Sequence, residues 1–150
     1  MKLGFFTMPI HPLGKDWRQC LREDQEAFVL ADELGFVEGY VGEHATDQAE
    51  NITSCALFIA TLIDKTKHIK LGTGTVNLPN SHPAAVASHI AMLDHLLDGR
   101  FIFGISPGGL ISDAEVLATI AMANRAARAI WAIMVRGEVY RAPALGSAAA

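Results

Sequence analysis

The sequence is poor in several features that would point to common functions. It has only two cysteines, Cys20 and Cys55, far apart in stretches of helical character. Neither a disulfide framework nor a C-x-x-C pair can be built from them, and they read as buried thiols of a reducing compartment. Charged residues make up 19% of the chain and the formal net charge is −4. Without a basic excess to neutralise phosphates, nucleic acid and anionic membrane surfaces are not expected partners. No uncharged run approaches the length of a membrane span. The start MKLGFFTMPI carries one lysine and a short apolar run broken by Pro9, and it lacks the core and small-residue cleavage site of a signal peptide. The expectation is a soluble, cytoplasmic protein. The dedicated chemical motifs are missing too. There is no G-x-G-x-x-G, no Walker lysine, no H-E-x-x-H and no G-x-S-x-G, so neither a phosphate loop, a metal site nor a nucleophile elbow is expected.

What the chain does have is apolar material: 51% hydrophobic residues in a length of 150. That excludes disorder and suits about one domain. Strand-like and helix-like stretches alternate along it. Lys2 to Met8 reads as strand one, ended by Pro9 and the Pro12–Gly14 turn. Asp16 with Gln19 forms a capping-box pattern ahead of a first helix closed by Gly35. Phe36 to Glu43 is strand two, Asn51 to Lys67 helix two, and Ile69 to Asn77 strand three. Pro83 suits the first turn of helix three, which ends at Asp98-Gly99. Arg100 to Ser106 is strand four. Ser112 and Glu115 open a fourth helix running to about Arg136. Such βα alternation predicts an α/β fold with a parallel sheet and right-handed crossovers. Strands one, three and four are continuous apolar runs, the pattern of strands covered on both faces. A flavodoxin-like sheet and a (β/α) barrel share this pattern, and periodicity does not separate them.

Helices two and three are apolar over a wide arc. Val86, Ile90, Leu93 and Leu97 form one row of helix three, and Ala85, His89, Met92 and Leu96 form a second. Leu57, Phe58, Ile59, Leu62 and Ile63 surround much of helix two. Helices of this kind are buried on two sides, which predicts a subunit interface built from both, hence a homodimer, with a larger single-chain core as the alternative. From Ala118 onward alanine is frequent, as in a strong helix followed by a tail.

In parallel α/β proteins ligands bind beyond the C-terminal ends of the strands. The four ends here carry Thr7 to His11, then Glu43 and His44, then Thr73, Gly74, Thr75 and Asn77, and finally Ser106, Pro107, Gly108 and Gly109. His44 is the candidate general base or proton shuttle, because imidazole titrates near neutrality and Glu43 or another acceptor could orient it. His11 and His82 could join it in a cluster, whereas His68, His89 and His95 fall on or beside helices and read as structural. Gly72 and Gly74 inside a strand mark a bulge or a close approach. A flat aromatic cofactor on strand three and a crowded barrel interior explain them equally well.

Several segments in order carry a family resemblance: MKLGFFTMPIHP at the start, LADELGF at 30–36, VGEH at 41–44, KLGTGTVNLP with SHP over 70–83, and LDHLLDGRFIFGISPGG at 93–109. Together, over roughly residues 1–115, they resemble the bacterial luciferase-like, flavin-dependent monooxygenases. The resemblance implies a (β/α)8 barrel that uses reduced FMN, supplied by a flavin reductase, and O2 to oxidise a small organic substrate. Some relatives use the deazaflavin F420 instead. It implies that His44 is the functional histidine, with Glu43 beside it as a cofactor-binding residue. It places Thr73, Gly74 and Thr75 against the flavin ring, where the family often has a non-proline cis peptide, and adds Ser106, Pro107 and Gly108 to the cofactor-binding residues. Dimerisation through helices two and three is also implied.

The chain departs from that family in three ways. Pro107 stands where luciferases themselves carry a phosphate-contacting arginine, as in the terpene- or alkane-type branch. Leu117-Ala118 replaces the usual Phe-Gly. A (β/α)8 barrel typically needs about 250 residues, and only about four βα units are present. The expectation is therefore a half-barrel, residues 1–136 as the N-terminal half and 137–150 as a tail: a fragment of the monooxygenase, or alternatively a non-catalytic half-barrel that dimerises or a fragment of an F420-dependent reductase.

Overall fold

In the computed structural model, residues 1–108 are described. The fourth helix, the 137–150 tail and Gly109 lie outside them. The elements in order are β1 (Gly4–Thr7), α1 (Trp17–Glu33), β2 (Glu38–Val41), α2 (Cys55–Ala60), β3 (Lys70–Thr73) and β4 (Val76–Asn77). A 3-10 turn (Leu78–Asn80), α3 (Pro83–Leu97), β5 (Phe101–Ile102) and β6 (Ile105–Ser106) follow. One sheet has the order β1-β2-β3-β5 and a second pairs β4 with β6. Every pairing is parallel, as the βα alternation requires.

The register sorts the side chains into two faces. Phe5, Gly39, Leu71 and Phe101 form one cross-strand row, and Phe6, Tyr40, Gly72 and Ile102 the next. Alternation along a strand sends these rows to opposite sides. The first row meets the helices. There Phe28 of α1, Phe58 and Ile59 of α2, and Leu93 and Leu97 of α3 bury themselves with Val41, Ile69 and Leu71. Phe5 and Phe28 lie with ring centroids 4.7 Å apart, and Phe28 and Phe58 5.6 Å apart. The second row is not covered in the same way, since Phe6 is 57% exposed. The continuous apolar runs had suggested two covered faces; among the described residues the helices cover one.

Strands three and four of the sequence reading are each divided. The third breaks between β3 and β4 at Gly74–Thr75, a cis peptide, and the fourth between β5 and β6. The Thr73 hydroxyl bridges the gap. It donates to the Gly104 carbonyl at 2.8 Å and accepts from the Gly104 N–H at 2.8 Å. A side chain thus replaces a rung of the backbone ladder. Only glycine fits opposite it, because a Cβ on Gly104 would lie 2.3 Å from the Thr73 carbonyl oxygen.

Helix ends follow local chemistry. Asp16 caps α1, accepting from the Gln19 N–H at 3.0 Å. The reciprocal half of the capping box is absent, since Gln19 donates its amide to Glu23 instead. Helix two is much shorter than the 51–67 expectation. Ser54 caps it by accepting from the Leu57 N–H, and the Thr61 hydroxyl donates to the Phe58 carbonyl just past its end. Such hydroxyls compete with the helical ladder, so a helical apolar pattern continues as turns. In α3, Pro83 occupies the first turn, and Asp98 and Gly99 terminate the helix with positive φ. Leu93 and Leu97 are buried, while His89, Met92 and Leu96 on the neighbouring row are exposed, as is Leu57 of α2. No described helix is long and apolar enough to cross a membrane.

Near the C-terminal end of α1, the buried Asp32 carboxylate accepts the backbone N–H groups of Lys67, His68 and Ile69 at 2.7, 2.8 and 2.6 Å. It ties α1 to the entry of β3. Burial alone would push this carboxyl up, but the three donors outweigh burial and hold it below the ordinary aspartate range. Asp32→Asn presents an amide to those donors and is expected to lower stability by about 2–3 kcal/mol, read as a fall in denaturant midpoint. Because the folded-state pKa is lowered, the contribution is present above the unfolded aspartate pKa and is lost as pH falls through the lowered value. The gap between wild type and variant should narrow over that acid range.

Candidate functional site

The strand exits bring the predicted residues to one end of the sheets and separate their roles. His44 follows β2, with its Nε2 3.1 Å from Glu50 Oε2 and 3.4 Å from the Met8 sulfur at the exit of β1. Its backbone N–H donates to the Ile52 carbonyl at 3.0 Å. The carboxylate partner of the ring is Glu50, not the neighbouring Glu43. Consecutive residues of an extended chain point to opposite sides, so Glu43 and His44 diverge.

Glu43 turns inward and is 8% exposed. Its Oε2 accepts from the Cys55 N–H at 3.0 Å and the Cys55 thiol at 3.1 Å, and its Oε1 accepts from the Asn77 N–H at 2.8 Å. Burial pushes the Cys55 thiol far up, and the adjacent carboxylate adds to this. Cys55 is therefore a proton donor held in place and not a thiolate nucleophile. Asn77 also donates its side-chain amide to the Glu43 carbonyl at 3.1 Å, and its Oδ1 accepts from the Ser106 hydroxyl at 2.7 Å. Ser106 Oγ in turn accepts from the Gly108 N–H at 3.2 Å.

The remaining predicted residues fall into place around this chain of bonds. Thr73 is buried, with its hydroxyl committed to Gly104. Gly74 and Thr75 are half-buried, and Pro107 is exposed. The expected histidine cluster does not form. His11 pairs with Asp24 of α1, its Nε2 3.1 Å from both carboxylate oxygens, and burial raises the Asp24 carboxyl against the pull of that histidine. His82 caps α3 through Nδ1. His68, His89 and His95 are exposed. No group of metal-ligating side chains occurs among the described residues.

Gly72 and Gly74 are explained by neighbouring rings. A Cβ on Gly72 would lie 2.4 Å from the Tyr40 ring, and one on Gly74 would lie 2.8 Å from the Phe6 ring. The tyrosine hydroxyl donates to Glu38 at 2.9 Å, a bond that raises the phenol pKa, with burial adding to it. Of the two explanations open from the sequence, the crowded inner face holds at Gly72. Beyond these rings the strand exits expose Phe6, Met8 and Ile105. The exit segments 7–12, 42–50, 74–82 and 104–108 contain no lysine or arginine.

Two residues of this site escaped the sequence reading. Asn77 stands among the ligand-side strand ends without a role assigned to it, and an asparagine closing an apolar run is a usable signal for a buried amide. Glu50 lies in a loop six residues after His44, and no spacing rule points to it.

Comparison with known proteins identifies the family of the chain. The luciferase-like monooxygenase family profile matches residues 1–133. The chain is 44% identical over 117 residues to 4-hydroxyprotoasukamycin monooxygenase of Streptomyces nodosus subsp. asukaensis, covering 78% of this chain and 32% of that one. It is 41% identical over 114 residues to limonene 1,2-monooxygenase of Rhodococcus erythropolis, covering 76% and 30%. A solved structure of the oxygenating constituent of 3,6-diketocamphane monooxygenase from Pseudomonas putida, a type II Baeyer-Villiger monooxygenase in complex with FMN, superposes with a TM-score of 0.75 at 32% identity over 78% of this chain and 32% of that one. This chain belongs to the luciferase-like monooxygenase family. It spans about a third of the length of the curated relatives it matches.

The close approach at Gly72 gives a direct test. Gly72→Ala should cost about 1–3 kcal/mol through overpacking against the Tyr40 ring. Adding Tyr40→Ala removes the clash, so the two losses should be strongly non-additive in a double-mutant cycle of denaturant midpoints. Simple additivity would contradict the contact.

Proposed function

We propose that this chain, as a member of the luciferase-like monooxygenase family, is part of an FMN-dependent oxygenase that uses O2 to oxidise a small organic substrate. On this reading residues 1–136 are the N-terminal half of a (β/α)8 barrel and 137–150 a tail. The observation that carries it is the shared strand end. His44, Thr75 and Ser106 stand there beside the exposed apolar surface of Phe6, Met8 and Ile105.

That surface suits a flat ring system with apolar faces and polar edges. The fit stops at the phosphate, because the exits hold no cationic side chain; the phosphate group would be held by residues outside these segments. Reduced flavin, when bound, supplies the electrons that activate O2. The chain's own residues do the rest. His44 faces Glu50 through Nε2, so that nitrogen carries a proton it can hold or pass at the reacting oxygen. A ring system seated on the exposed Phe6, Met8 and Ile105 would displace water from the same place, which strengthens polar interactions there. Thr73 and Gly104 keep the ring-facing segment 73–75 against the end of the fourth strand.

Further parts of the reading concern partners. The diketocamphane relative is an oxygenating constituent, and a separate flavin reductase is the corresponding source of reduced FMN here. The exposed row of His89, Met92 and Leu96 with Leu57 supports a homodimer through α2 and α3. A cytoplasmic location suits a free thiol pair.

The test is a titration with FMN and, in parallel, with F420, followed by flavin fluorescence and absorbance. FMN is expected to bind, and binding of F420 alone would favour the deazaflavin alternative. His44→Ala should leave FMN binding unchanged and lower substrate turnover about a hundredfold or more. Undiminished turnover would remove His44 from the chemistry.

A further inference from the structure

We infer that Glu43 is a positioning residue: its buried carboxylate holds Asn77, whose side-chain amide links the peptide ahead of His44 to the Ser106–Gly108 turn, and it contacts neither cofactor nor substrate. This departs from the cofactor-binding role expected from the sequence. What the positioned groups serve rests on the flavin reading above; the clamp itself rests on geometry.

A carboxylate accepts through two oxygens. Here Oε1 takes the Asn77 N–H, and Oε2 takes both the Cys55 N–H and the Cys55 thiol. With the residue 8% exposed, little of the carboxylate remains to meet a ligand. Its bonds join the exit of β2 to the start of α2 and to β4.

The peptide plane ahead of His44 is held at both polar ends. The Glu43 carbonyl accepts from Asn77 Nδ2 at 3.1 Å, and the His44 N–H donates to Ile52 at 3.0 Å. With that plane held, the His44 Cα that lies in it is held as well. The same amide sets the polarity of the next link. Asn77 Nδ2 is committed to Glu43, so Oδ1 faces Ser106 and takes its proton at 2.7 Å. Ser106 Oγ is then an acceptor, as its bond from the Gly108 N–H shows. A ligand at Ser106 therefore meets a lone pair and must bring a donor. Reversing the Asn77 amide would set two acceptors against each other at Glu43.

The test is amide hydrogen exchange with nitrogen NMR on the whole labelled chain. Glu43→Gln places an amide among donors. Exchange at the Cys55 and Asn77 amides should accelerate at least about tenfold. The Gly108 amide and His44 ring resonances should shift, while Lys67, His68 and Ile69, held by Asp32, keep their protection. Ser106→Ala should shift Gly108 and leave Cys55 and Asn77 protected. Equal acceleration at all these amides, or unmoved His44 and Gly108 resonances, would overturn the proposal. If Glu43→Gln does not fold, Asn77→Ala keeps the carboxylate and its Cys55 donors and should still shift both resonances; an unchanged His44 ring would refute the clamp. FMN titration of the wild type is read separately. No binding there defeats the flavin reading, and the exchange pattern still decides the clamp.

Discussion

The period of two along short parallel strands governs both the core and the candidate site. It sends Phe5, Leu71 and Phe101 to the helices, and Phe6, Tyr40 and Ile102 to the other face. Carried one step past β2, the same alternation points Glu43 inward and leaves His44 beside Glu50 and Met8. A one-residue slip of β2 would bury the imidazole and expose the carboxylate. The parallel register therefore sets which ionisable group is structural and which is available for chemistry.

Two buried carboxylates hold that register from opposite ends. Asp32 gathers three backbone N–H groups at the entry of β3, and Glu43 takes those of Cys55 and Asn77 at the exits. Both are satisfied by neutral donors that lie at element ends and would otherwise lack a partner. Arg100 adds bonds to the Thr66 hydroxyl and the Ile63 and Ile69 carbonyls at the entry of the sheet. The middle of the sheet is set by close packing, with Tyr40 over Gly72 and the Thr73 hydroxyl against Gly104.

Much of this was legible in the sequence wherever the controlling interaction is local. The Asp16 cap, Pro83 at the start of α3, the Asp98-Gly99 stop and the parallel βα alternation depend on neighbours along the chain, and each is present. The exit positions of His44, Thr75 and Ser106 followed from the same alternation. Non-local contacts were not legible. The split of strands three and four depends on Thr73 meeting Gly104, 31 residues away. The short α2 depends on hydroxyl competition that apolar periodicity cannot register. The partner of His44 is a loop glutamate, and the fate of Glu43 depends on Asn77, 34 residues on. Gly72 and Gly74 signalled a close approach, but only the fold identifies the approaching groups as Tyr40 and Phe6.

The most direct test of the account is a resonance map of the labelled chain on titration with FMN. Shifts are expected to concentrate at the strand exits, on His44, Gly74, Thr75, Ser106 and Gly108, and to spare the Asp32 anchor with Lys67, His68 and Ile69. Shifts centred on the opposite end of the sheet, or on the outer surfaces of α1 and α3, would contradict it.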